Sequence, residues 1–279
     1  MSDSRPDAAT WSDVDKAAQP AAFAQYLDTI RSLGAIETYK ARSVELMGLA
    51  PGGSALDVGC GTGDDTRRLL ARVGPEGRVL GVDFSAAMIE ECRRRWGGEG
   101  EALRFMVGDA HALELPSASF DAVRADRVFQ HLASPRQALV ELMRLTRPGG
   151  RVVLSDPDWG SYLVDAPPTP AVHRFLEFAQ GQARNPWIGR QFYGLMREAG
   201  LEQISVQADV VIVLDRPVLD RLGNLDAGFV AAVAAGRMSE AEVAEVKDEL
   251  ARRQQEGRFF VTVTIYTVAG TVPSSTVPA

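Results

Sequence analysis

The residues of this chain most able to do chemistry gather in one stretch, Leu56-Asp57-Val58-Gly59-Cys60-Gly61-Thr62-Gly63-Asp64-Asp65. Val58 ends a short apolar strand, glycines at every second position demand a tight turn, and Asp64 and Asp65 open a helix. A residue without Cβ takes positive φ freely and lets a ligand come within contact distance of the backbone. Such a loop at the carboxyl end of a first parallel strand is a nucleotide-type cradle. A dinucleotide fingerprint counted from Gly59 needs Gly or Ala at its last position, where this chain has Asp64. Two carboxylates in a helix's first turn repel the pyrophosphate that free N–H groups and the helix dipole would otherwise hold. They do not oppose a cation, and Asp57 adds a third carboxylate at the strand end. The ligand that fits carries an adenosine and a positive centre but no phosphate, as S-adenosylmethionine does.

Asp83 ends the next apolar run, about as far beyond the glycines as the acid that receives ribose hydroxyls in nucleotide-binding α/β folds. A carboxylate suits this because it accepts from both vicinal hydroxyls at once. Its other reading is a helix cap, but Ser85 is already placed to cap the helix over 86–96. Phe84 and Met88 follow; both can pack on adenine faces, and Met88 can equally be helix core. At the exit of a fourth strand the chain reads Arg124-Ala125-Asp126-Arg127-Val128-Phe129-Gln130-His131, unusually polar for a buried place. The reversal of strand order in a doubly wound sheet turns this exit toward the reacting centre. A neutral His131 can take a proton from a hydroxyl, amine or activated carbon. The alternative is that His131 and Gln130 hold the following turn and line the pocket.

Leu56 to Gly63 is similar to the first motif of class I S-adenosylmethionine-dependent methyltransferases, especially the branch resembling the menaquinone and ubiquinone C-methyltransferases. The resemblance implies an α/β fold with a doubly wound, seven-stranded, mostly parallel Rossmann-like sheet and helical caps. It implies S-adenosylmethionine as cofactor, S-adenosylhomocysteine as product, and a cofactor site of Asp57, Gly59, Gly61, Gly63, Asp83, Phe84, Met88, Arg124 and Gln130. To these it adds Asp109, which accepts from the adenine amino group, and Ala110, whose backbone N–H meets the ring. Helices ahead of the first strand fold over the cofactor in that family, making Tyr39, Lys40 and Arg42 candidates for the methionine end. The other reading leaves Tyr39 as packing and the two cations solvated. Arg147-Pro148-Gly149-Gly150 before the fifth strand is a further shared landmark.

The elements that position these groups follow from periodicity and breakers. Residues 1–19 read as disordered, 20–50 as a helical cap, 51–160 and 196–270 as the core with a helical insertion over 217–256, 161–195 as a lid, and 271–279 as a polar tail. The fifth strand is expected over 151–156, leaving at Pro157. Asp156 and Asp158 beyond it either orient a polar acceptor or cap turns. The lid concentrates Tyr162, Phe175, Phe178, Trp187 and Phe192, so Trp159, Tyr162 and Trp187 are the candidate walls of an acceptor site. His173 is expected on the lid surface. The β-branched run over 258–268 predicts a final antiparallel strand.

The 279 residues, 46% of them apolar, allow one substantial core. A net charge of −7 argues against a nucleic-acid partner. Cys60 and Cys92 stand at neither metal nor disulfide spacing, which suits a reducing cytoplasm, and residues 1–19 lack the apolar segment of a signal peptide. No apolar run reaches the ~20 residues that span a bilayer. No metal is expected: Asp126 and Asp156 mimic two ligands of the catechol-type methyltransferases, but no Asp-Asn pair follows. The expected reaction is methylation of O, N or C on a small, apolar or aromatic metabolite of the kind found in secondary metabolism. Another reaction on the same cofactor, ring closure or decarboxylation, and a non-catalytic cofactor-sensing module are the alternatives. The oligomeric state is not readable.

Overall fold

A computed structural model describes residues 14–15, 21–31, 34–223 and 225–274. Most of the stretch expected to be disordered, and residues 275–279 of the expected tail, lie outside the described residues. Helices α1 (Ala21–Arg31) and α2 (Gly34–Leu46) precede β1 (Ser54–Val58). Alternation then gives α3 (Asp64–Val73), β2 (Arg78–Asp83), α4 (Ala86–Trp96), β3 (Leu103–Val107), β4 (Phe120–Asp126), α5 (Pro135–Leu145) and β5 (Thr146–Val164). After β5 come α6 (Pro170–Gln180), α7 (Ile188–Glu198) and β6 (Glu202–Val213). Three helices, α8 (Arg216–Gly223), α9 (Leu225–Ala234) and α10 (Glu240–Gln255), separate β6 from β7 (Val261–Thr271).

The seven strands form one sheet in the order β3-β2-β1-β4-β5-β7-β6. β1 pairs in parallel with β2 and β4, and β7 runs antiparallel to both β5 and β6. All five residues of β1 are buried, as expected of a central parallel strand covered on both faces. Chain order reverses between β1 and β4, so the carboxyl ends of these two strands open the crevice in which such sheets bind ligands.

β5 departs from expectation: it runs 19 residues and carries Pro157 within it. β4 pairs with it only as far as Ser155, opposite Asp126. Beyond that point only β7 adjoins it, and a proline is tolerated on an edge. Between Asp158 and Leu163 the register with β7 shifts. This irregularity carries Trp159 and Tyr162.

Several apolar cores result, among them one against α3 and α4 through Leu69, Val73, Ile89 and Phe105; two others bear on the cavity. One lies between the sheet and α5 and α7, and includes Leu56, Val123, Phe129, Leu142 and Phe192. The other joins α1, α2 and α6 with α8–α10 and the far ends of β5–β7, through Ile36, Tyr162, Phe175, Val211, Phe229 and Ile265. α7 therefore belongs to the main core through Ile188, Phe192 and Met196, although its first residues fall in the stretch expected as lid. The charged α10 is capped by a Ser239–Glu242 capping box and buries only Val246, Leu250 and Arg253.

Candidate active site

The glycine loop turns sharply because Gly59, Gly61 and Gly63 have φ of 71°, 53° and 77°. Gly59 and Cys60 donate to the Val82 carbonyl at 2.7 and 3.0 Å, which ties the loop to the end of β2. A Cβ at Gly59 would fall 2.2 Å from Val128 Cγ2, and one at Gly61 2.8 Å from Leu27 Cδ1. Gly63 is different: its Cβ would meet Phe105, Trp96 and Cys92, and it does not line the cavity. The expectation of a ligand contact there is corrected to close packing of the loop on α4 and β3.

Asp83 accepts the Gly61 N–H on Oδ2 at 2.8 Å and the Ser85 N–H on Oδ1 at 2.9 Å. Burial pushes its carboxyl up against these two bonds. The Phe84 N–H acts on the same carboxylate. Ser85 caps α4 as the sequence suggests, accepting from Met88 N–H at 3.1 Å. Asp15 adds a cap that sequence reasoning missed, accepting from Ala86 and Ala87 N–H at 2.9 and 3.1 Å. Phe84 is 66% exposed at the rim and Met88 is buried, yet both line the cavity. Asp109 and Ala110 line it as well. Burial raises the Asp109 carboxyl, but hydrogen bonds from His111 hold it below the ordinary value. His111 is fully engaged, with Nδ1 at 2.6 Å from Asp109 and Nε2 accepting from Ser134 N–H at 3.2 Å.

Behind the loop lies a buried charge cluster. Arg124, 0% exposed, donates to Asp126 at 2.9 Å, Asp65 at 3.3 Å, Asp57 at 3.4 Å and Ser43 Oγ at 3.1 Å. Lys40 pairs with Asp65 and, at 2.8 Å, with Asp126. Thr66 donates to Asp57 at 2.8 Å. Burial raises the Asp57 carboxyl to about 6 against the pull of Arg124. For Asp65 and Asp126 burial works the same way, but Lys40 and Arg124 overcome it and hold both low.

The cluster corrects three expectations. Arg124 lines the cavity with its donors committed to carboxylates, so it is a structural hub rather than a cofactor contact. Tyr39 is wholly buried outside the cavity, its hydroxyl donating to Asp126 at 3.0 Å. Asp64 and Asp65, read as a phosphate-repelling pair, are matched by Arg31 and by Lys40 with Arg124. Arg42 turns away to Asp209 of β6 at 2.6 Å.

The turn after β4 presents Gln130 and His131 to the cavity. Its geometry is set from β5: Asp156 accepts the Phe129 N–H at 3.0 Å, and burial pushes that acid far up. Gln130 Oε1 accepts from Trp159 Nε1 at 2.8 Å, which fixes the indole against the cavity beside Tyr162. Asp158 is tied to Arg190 at 2.6 Å and to Gly160 N–H at 3.2 Å. Asp156 and Asp158 therefore hold turns and do not line the cavity. Trp187 is also corrected: it is 52% exposed, lies against Gly160 and faces no part of the cavity. His173 is exposed, as expected. Among the described residues no group of His, Cys, Asp or Glu is arranged to hold a metal ion, and no helix is long and apolar enough to cross a membrane.

The cavity is continuous, about 560 Å³, and has two unlike ends. One is the polar cradle of the glycine loop, Asp83 and Asp109. The other is walled by Tyr162, Phe175, Phe178, Val211, Leu225 and Ile265, none of which the glycine motif announces. The Asp83 carboxylate, between a close-approach loop and the apolar Met88, suits a nucleoside with vicinal hydroxyls.

This is the crevice at the order reversal of a doubly wound α/β sheet, polar at one end and apolar at the other. A family model described as a methyltransferase domain matches residues 55–150. The chain is 37% identical over 244 residues to an uncharacterized 37.1 kDa protein in transposon TN4556 of Streptomyces fradiae, spanning 87% of this chain and 69% of that one. It is 33% identical over 179 residues to a 2-phytyl-1,4-naphtoquinone methyltransferase of Thermosynechococcus vestitus, spanning 63% of this chain and 74% of that enzyme. The solved structure of YcgJ from Bacillus subtilis matches with a TM-score of 0.61 over 86% of this chain and all of that one, at 17% identity, a likeness of fold. The chain belongs to the class I S-adenosylmethionine-dependent methyltransferases. It is an enzyme that uses S-adenosylmethionine and methylates a small molecule.

Proposed function

We propose that the enzyme methylates a largely apolar, aromatic acceptor held in the far half of the cavity. The carrying observation is the single cavity with a cofactor cradle at one end and an aromatic and aliphatic wall at the other. The naphthoquinone named for the Thermosynechococcus relative is an acceptor of this shape. In this reading Asp83 receives the ribose hydroxyls, Asp109 and the Ala110 N–H take the adenine edge, and Met88 packs on its face. S-adenosylmethionine supplies, when bound, a methyl group already activated on a sulfonium. What the protein adds is alignment and removal of the acceptor proton. The Trp159 indole, fixed by Gln130, is the wall against which an aromatic acceptor stacks. His131, which lines the cavity in the turn after β4 beside Gln130, is the base.

The test is release of S-adenosylhomocysteine with 1,4-dihydroxynaphthalene and, separately, dodecylamine as acceptors. Transfer to the aromatic ring or its hydroxyl is expected, with kcat down about 10²- to 10⁴-fold in His131→Asn, as for loss of a general base. Affinity for S-adenosylhomocysteine should be unchanged. A wild-type rate in His131→Asn would leave that residue as wall only. Methylation of the amine alone would overturn the aromatic reading.

A further inference from the structure

Arg127, the residue directly after β4, has no part in the site as described so far. Its φ is 58°, in the left-handed region that residues with a Cβ seldom adopt. Its N–H donates to the Ser155 carbonyl at 2.7 Å and its carbonyl accepts from Gln130 Nε2 at 3.4 Å, so both peptide groups hold the strained conformation in place. Strain maintained at a cavity wall points to a side-chain direction that has a use.

That direction is into the cavity, where the Nε is shut off from solvent and meets no acceptor. The other cations lining the cavity differ. Arg31 is bound by Asp28 and Asp64, Lys40 by Asp65 and Asp126, and Arg124 by Asp57, Asp65 and Asp126. Arg184 is exposed. Asp126, Asp65 and the phenols of Tyr26 and Tyr39 act on Arg127 electrostatically. A guanidinium is a planar fork of five donors that matches an oxyanion.

We propose that Arg127 is a specificity-determining residue of the acceptor site, gripping an acidic oxygen, either a carboxylate or the ionised hydroxyl of a phenol or enol. The apolar body of that acceptor fills the chamber, so the proposal rests on the reading of the far half as acceptor site. The experiment titrates protein saturated with S-adenosylhomocysteine with 2-naphthoate and with its uncharged isostere 2-acetylnaphthalene. The naphthoate should bind at least about tenfold more tightly, the scale of one hydrogen bond to a charged group. Arg127→Met should cut the preference below about twofold and leave S-adenosylhomocysteine affinity unchanged. Arg127→Lys, which keeps the charge and loses the fork, should lower the preference severalfold, and gives the same readout should the methionine variant fail to fold. Equal binding of both probes by the wild type, or a preference that survives both substitutions, overturns the proposal. So does loss of S-adenosylhomocysteine binding in the variants, which would give the guanidinium to the cofactor's own carboxylate. If neither naphthalene binds, the apolar-acceptor reading fails first and takes this proposal with it.

Discussion

Asp83→Asn separates the ribose role of this acid from its role in the loop. The carboxylate accepts from the Gly61 and Ser85 N–H groups, one on each oxygen, and lines the cavity. The amide keeps the shape but has one oxygen. One ribose hydroxyl therefore loses its acceptor, one loop N–H faces an NH2 group, and the negative charge is gone. A hydrogen bond to a charged group is worth about 1.5–3 kcal/mol, and a buried donor left unmet costs about 1–3 kcal/mol more. Some of the second cost falls on the free protein, so about 3–4 kcal/mol remains for binding. That is a loss of about 10²- to 10³-fold in affinity.

Titration calorimetry with S-adenosylhomocysteine and its 2′-deoxy counterpart measures both parts. The wild type should favour the hydroxylated ligand by about tenfold or more, and the variant should discriminate much less. A variant that binds within threefold of wild type would refute the ribose assignment. A variant that binds weakly but still discriminates between the two ligands would show that Asp83 acts only by shaping the loop.

Two further outcomes concern the buried charges. Arg124→Met leaves Asp57, Asp65 and Asp126 with Lys40 as their near cation, and removing one partner of a buried ionic cluster costs about 3–5 kcal/mol. Urea unfolding of the cofactor-free protein measures this, and a loss under 1 kcal/mol would mean the cluster is well hydrated. Asp57 should make the protein more stable on mild acidification. Its folded value of about 6 exceeds the ordinary 3.8, so between these pH values the folded state holds the extra proton. Stability then falls as pH rises from about 4 to about 6, by on the order of 3 kcal/mol in all. Asp57→Asn should flatten that part of the curve, read as the difference in melting temperature between variant and wild type from pH 4 to 7.5. An unchanged slope would place the ionised Asp57 in favourable surroundings.

Local chemistry made the cofactor end legible. A glycine loop, an acid at a strand end and a Ser cap each act within a few residues, and the structure brings Asp57, Gly59, Gly61, Asp83, Phe84, Met88, Asp109 and Ala110 to one cavity. What stayed hidden depends on partners far away in sequence. Nothing near Arg124 or Lys40 announces that their carboxylates come from β1, α3 and β4. The extension of β5 past Pro157 depends on β4 ending early, which only the pairing reveals. Trp187 belongs to a stretch as aromatic as Tyr162's, but it precedes α7, which packs on the main core and leaves it at the surface. The positive φ of Arg127 carries no compositional signal, since glycine or asparagine would be the expected type there.

The buried cluster also explains how the N-terminal helices come to cover the cofactor end. α2 is joined to α3 by Glu37–Arg68 and Lys40–Asp65, and to β4 by Lys40–Asp126. α1 is joined to α3 by Arg31–Asp64 and to α4 by the two-pronged Arg95–Asp28 pair. Two of these bridges, Arg31–Asp64 and Lys40–Asp65, end on the first turn of α3. Asp64 and Asp65 thus draw down the cations of the cap, Arg31 and Lys40. The half-exposed pairs at the rim weaken with salt, whereas Lys40 and Arg124 are shielded from it. The cap is therefore fixed at its centre, beside Asp57 and Asp126, and looser toward its rim.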